Sequence, residues 1–257
     1  IQGVALVMLF GFTVMGLLAY RTYTNSMPQP SRVVAEDGSV VFTTEDITAG
    51  QQLFQSRGLM EYGSIVGHGG YLGPDFTAEY LRMEADSVSA QLAGEGNGDP
   101  ATAAKAMLRA NRYDAASGEL VWTPEQVTAY EQAVEHYTAM FGPDAAANGL
   151  KPDLITDPAQ VRQVTAFIGW TAWASAAERP GHDYSYTNNW PAESRVGNSP
   201  TGDLMIWSVL SLIVLIGGTG IMFAIYGRWS RRIGWRSEEA PALSFRQPGE
   251  VGLTRSQ

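Results

Sequence analysis

Three histidines, one pair of carboxylates and two unusual loops are the places where this sequence could do chemistry. His68, His136 and His182 never fall at the one-turn spacing that aims two imidazoles at one metal from one helix. His136 sits among Glu131, Glu135 and Tyr137 on a polar helix face, where solvation is the expected state, and His182 follows a Pro-Gly turn. Glu131 and Glu135 stand four residues apart, a spacing shared by an acid–base pair and an ordinary solvated face; the second is expected here. No Ser/His/Asp arrangement and no phosphate-cradling glycine loop is evident. Cysteine is absent, which excludes disulfides, thiolate zinc sites, iron–sulfur clusters and thioether-linked haem.

The first loop, residues 58–74, reads GLMEYGSIVGHGGYLGP and carries six glycines. Long irregular loops inside helical domains are functional or disordered, and Leu59, Ile65, Val66, Tyr71 and Leu72 argue against disorder. Glycine lets a backbone approach another surface and turn its carbonyls outward. A metal or partner contact through main-chain oxygens fits this pattern, and so does a packed Ω-loop. The second loop, Tyr184–Pro191, reads YSYTNNWP. Its aromatics beside Asn188 and Asn189 suit either an interfacial belt or packing on an integral-membrane partner.

These features belong to a middle piece flanked by two apolar runs. Residues 1–20 carry no charge and Arg21 ends them; residues 204–226 carry none across 23 positions. A helix of 23 residues rises about 34 Å, enough to cross the hydrocarbon core. Trp207 and Tyr226 stand near its ends, where amphipathic aromatics favour the interface. The run Gly217–Gly220 fits a close helix contact or simple tolerance of glycine in a membrane helix, and it allows a homodimer. For the first run, an anchor is preferred over a signal peptide, because no basic leader is visible and Leu17–Tyr20 makes a poor cleavage site. The chain opens on Ile1 inside that run, so a fragment with a truncated start is expected.

Charge sets the orientation. Residues 24–203 hold 10 Lys/Arg against 23 Asp/Glu, whereas the tail from Gly227 holds 6 Arg against 3 Glu. Arg228, Arg231, Arg232 and Arg236 crowd after the second span, so the tail is expected in the cytoplasm and the domain outside. A domain this acidic argues against nucleic acid as a partner. The boundaries are then 1–23 for the first span, 24–203 for the outer domain, 204–226 for the second span and 227–257 for a basic linker.

Within the domain, Asp37-Gly38 signals a hairpin over residues 32–42. A helix follows from Thr43 to Gly58, capped by Thr44 or Asp46. Further helices are expected at 75–93, 100–112, 124–141 under a Thr123 cap, and 157–178, with a short hairpin around Ser117-Gly118. The fold class is mainly α with short β-hairpins.

Residues 50–80, GQQLFQSRGLMEYGSIVGHGGYLGPDFTAEY, closely resemble the start of quinol-dependent nitric oxide reductases. So do Gly169–Trp173, Arg179–Pro191 and Val196–Thr201. The resemblance spans essentially the whole chain, yet only about the first third of such an enzyme. It implies a cytochrome-c-like outer domain fused to a twelve-helix core of the haem–copper oxidase type. Cytochrome-linked relatives carry a Cys-x-x-Cys-His motif; laid on it, Leu59 and Tyr62 replace the cysteines and Gly63 the axial histidine. The resemblance therefore implies a domain without haem and electrons arriving from membrane quinol.

The family reaction joins two NO with two electrons and two protons to give nitrous oxide and water. It uses haem b, haem b3 and a non-haem iron, held by histidines of later membrane helices, and none of these is expected within this chain. A calcium ion in relatives takes backbone carbonyls from the equivalent of this loop, which fall on Gly69 and Tyr71; main-chain oxygen suits such a cation. The resemblance makes His68, Tyr71, Asn188, Asn189 and Trp190 the contacts to the remaining membrane core of the same polypeptide. It places the protein as a multi-pass protein of the bacterial inner membrane, with the domain periplasmic. A rival is a bitopic membrane sensor with an extracytoplasmic ligand-binding domain and a signalling module after Arg236.

Overall fold

The computed structural model describes residues 2–24, 26–94 and 98–229. The chain opens with helix α1, Gln2–Thr24, followed by an extended strap. Trp170 Nε1 donates to the Pro28 carbonyl at 3.0 Å, and Gln29 Nε2 reaches the Thr48 hydroxyl at 3.3 Å. The strap is thereby tied to two helices of the domain.

The expected hairpin forms as β1, Arg32–Ala35, and β2, Val40–Thr43, with Gly38 at φ 84° in the turn. Helix α2, Thr44–Ser56, starts under Thr43 rather than Thr44 or Asp46. Asp46 sits at the third helical position and returns a hydrogen bond to the Thr43 amide, completing a capping box. The 58–74 loop is more ordered than its glycines suggest. It holds a one-turn helix α3, Leu59–Tyr62, and a small hairpin of β3, Ser64–Ile65, and β4, His68–Gly69.

Helix α4, Phe76–Ala93, is capped by Asp75, and α5, Pro100–Arg109, by Asp99. Strands β5, Tyr113–Asp114, and β6, Glu119–Trp122, make the second hairpin. Strand β6 lies parallel beside β1, giving the sheet order β2-β1-β6-β5, which the local turn signals could not reveal. Helix α6, Pro124–Phe141, repeats the capping box with Thr123 and Gln126, and α7, Pro158–Ala176, is capped by Asp157. Helices α5 and α7 end a few residues before their expected limits.

Helix α7 forms the centre of the domain, with 13 of its residues buried, and α2 crosses it closely. Gly50 makes that approach: a Cβ there would overlap the Gln163 carbonyl and reach 2.9 Å from Phe167 Cβ. Aromatics fill the space beyond, with Phe76 meeting Phe54 edge-on at 5.3 Å and Phe141 stacking on Tyr137 at 5.4 Å.

Residues from Gly202 form a separate unit containing α8, Gly202–Trp229. Its stretch Met205–Trp229 is long and apolar enough to cross a membrane, and none of it is buried within the structure. It runs three residues past the expected limit at 226. Arg231, Arg232 and Arg236 lie outside the described residues.

Candidate functional site

The glycine-rich loop owes its shape to one carboxylate. Asp75 Oδ1 accepts the Ala78 amide at 2.9 Å as the cap of α4. Its Oδ2 accepts the Ser64 hydroxyl at 2.8 Å and the Gly67 amide at 2.6 Å. A helix cap thus also holds the β3–β4 turn. The Val66 amide donates to the Thr77 hydroxyl at 3.1 Å, which lies 3.1 Å from the buried Thr171 hydroxyl of α7. Backbone bonds close the rest: the Gly70 amide donates to Met60 and Gly63 carbonyls, and Gly73 to Tyr62. Asp75 stands at the expected start of the 75–93 helix, but its capping role and its reach back to Ser64 and Gly67 depend on the fold.

At Gly69 φ is 145°, and a Cβ would overlap the Gly63 carbonyl, so only glycine fits. Beyond it the chain turns outward. Tyr71 is 90% exposed and Leu72 87% exposed, an apolar pair at the tip of the loop. His68 is also exposed. No group of three or more acidic or histidine side chains able to hold a metal occurs among the described residues.

The second loop meets the first. Trp190 Nε1 donates to the Val66 carbonyl at 3.1 Å, and its indole lies flush on Gly67, where a Cβ would overlap it. Asn188 and Asn189 hold φ near +57°, a conformation that asparagine tolerates. Asn189 Oδ1 accepts the Ser185 amide at 3.0 Å, and the Asn189 amide donates back to the Ser185 hydroxyl at 2.8 Å. The loop is a hydrogen-bonded clasp presenting Trp190, with Asn188 on its exposed side. Of the candidate contacts, Trp190 is brought against the first loop, while Tyr71 projects away from the domain.

Residues 59–63 lie at the junction of α2 and the loop. Leu59 is fully buried in the core. Tyr62 packs over Gly73, and burial followed by the Glu79 charge raises its hydroxyl above the usual tyrosine range. Beside Gly63 a Cβ would come 2.6 Å from the Phe76 ring. The sequence of this junction therefore offers neither thiol nor imidazole, and an aromatic ring closes the ground next to it. A family model for the NorB cytochrome c-like domain of nitric oxide reductase matches residues 30–192.

The chain belongs to this nitric oxide reductase family. The match starts in the strap and ends just past Trp190, so it takes in both loops. In a direct comparison with curated proteins, no sequence matches. For a domain of this cytochrome c-like type, the residues present do not fit a covalently attached haem, because cysteine is absent and Gly63 has no donor atom.

Glu131, Glu135 and His136 are exposed, as a solvated face requires, and two of them also carry charged partners. His136 is not simply solvated: its Nε2 lies 3.6 Å from Glu79, and pairing with that carboxylate raises the imidazole above its usual range. Glu131 is not a free surface carboxylate, since Arg162 grips both its oxygens at 2.7 Å. Sequence reading missed Glu84 altogether. It is buried in the core, where desolvation pushes its carboxyl up to about 7 despite a 3.1 Å bond from Gln126.

Proposed function

We propose that this chain is the amino-terminal part of a quinol-oxidising nitric oxide reductase. In this reading the domain is periplasmic, carries no haem and caps a catalytic core formed by later segments of the same polypeptide. Helices α1 and α8 are membrane spans of a multi-pass protein in a bacterial inner membrane. The observation that carries it is the packing at 59–63. Where a cytochrome would bind its haem, a leucine enters the core, a tyrosine covers a glycine, and Phe76 fills the space beside Gly63. A domain with neither thiol nor imidazole at these positions holds no covalent haem to pass electrons, which leaves membrane quinol as their source.

The complete reaction would be two NO, two electrons and two protons giving nitrous oxide and water; haem b, haem b3 and a non-haem iron of the core would supply its redox chemistry, and no residue of this chain would hold them. The role of this chain is positional. The exposed tip Tyr71–Leu72 and the Trp190 clasp form the surface set on the core, and the carbonyls of Gly69 and Tyr71 would hold a calcium ion there. Contacts through main-chain oxygen need no acidic cluster. The family assignment supports the enzyme over the sensor reading. The test is the haem content of the purified full-length enzyme. Two haems per polypeptide are expected, both of b type; a third would put one in this domain and defeat the proposal.

A further inference from the structure

A cleft of about 370 Å³ opens between α2, α7 and the glycine-rich loop. That volume lies within the roughly 300–1,000 Å³ of small-molecule sites. Its walls are apolar, built from Met27, Phe54, Met60, Ile65, Phe167 and Trp170. Polar groups such as Gln51, Gln55 and His68 complete its lining, and among the described residues no carboxylate and no Lys or Arg enters it.

We infer that this cleft takes an acyl chain of a zwitterionic membrane phospholipid. The inference rests on the reading of α1 as a membrane span. Met27 stands three residues beyond Thr24, where α1 ends. Three residues reach at most about 11 Å, comparable with a headgroup layer of roughly 5–8 Å on each side of the hydrocarbon core. Tyr20 and Tyr23, 68% and 84% exposed, mark that end of α1 with the aromatics that favour the interface.

The wall nearest the membrane is held in place. The Trp170 hydrogen bond to Pro28 fixes the strap that carries Met27 onto α7. Two methionines give the lining a thioether surface that adapts to a flexible chain. The domain's strong negative charge disfavours an anionic headgroup, which selects the zwitterionic class.

The experiment reconstitutes the full-length enzyme in phosphatidylcholine vesicles carrying a diazirine on the acyl chain, irradiates them, and maps the labelled peptides. Label is expected on α1 and on the peptides holding Met27 and Met60. Met60 is 42% exposed, so Met60→Glu is compatible with the fold. It should lower cleft labelling about tenfold by placing a charge at the mouth, whereas Met60→Leu should retain it; α1 labelling should be unchanged in both. Label on α1 with none in the cleft overturns the inference and leaves the span reading intact. Absence of label from α1 as well overturns the span reading with it. Cleft labelling that a soluble quinone analogue abolishes overturns the lipid assignment in favour of a quinone.

Discussion

Glu84 faces inward from α4 and is bonded there by Gln126, whose own side-chain oxygen caps α6 and accepts from Arg112. Its folded pKa of about 7 stands above the ordinary 4.5, so folding favours the protonated form. The sign follows: stability from neutral Glu84 is fully present below 4.5 and is lost as pH rises through about 7. A shift of this size corresponds to about 3 kcal/mol across that window. Glu84→Gln should remove most of this pH dependence, measured by chemical denaturation of the domain at several pH values. A slope unchanged in the variant would contradict the assignment. His136 acts in the same direction, because its pairing with Glu79 stabilises the protonated imidazole and is lost as pH rises through its raised pKa. Neither effect was legible in the sequence. Periodicity places Glu84 on a helix, but only the packing of α4 against α6 decides that it is buried.

Helices were the legible part of the fold, though α2 is capped by Thr43 and not by Thr44 or Asp46. Proline at the first turn under Thr123 and Asp157, and Asp-Gly and Ser-Gly turns, are local signals that tertiary packing did not override. The parallel pairing of β1 with β6 was not legible, since strands 87 residues apart share no local signal. Nor was the role of Gly50, which reads as an unremarkable helix interior. Gly50→Ala should destabilise the domain by about 1–3 kcal/mol, because the new methyl meets the Gln163 backbone of α7, which has nowhere to yield. Thermal melting checks this, and a neutral result would mean that α2 and α7 do not cross there. The loop tip offers the opposite case. Tyr71→Ala with Leu72→Ala should change domain stability by no more than about 0.5 kcal/mol, since both side chains are exposed. Turnover of the full-length enzyme should nevertheless fall several-fold if the tip seats on the core.

At the scale of the whole molecule, the family match over residues 30–192 and the mainly helical architecture agree with the nitric oxide reductase likeness read from residues 50–80 and 169–191. The candidate site was legible in part. Both loops stood out by composition, and the structure joins them through Trp190 and Val66. The hold of Asp75 on the first loop and the cleft beside Met27 were not, because each depends on residues brought together from separate segments. The central proposal is that electrons reach the full-length protein from membrane quinol and not through the cytochrome c-like domain. Anaerobic NO consumption by the purified full-length enzyme, with a reduced quinol or reduced cytochrome c as donor, tests it directly. The account predicts turnover with quinol and none above background with cytochrome c; sustained turnover with cytochrome c alone would contradict it.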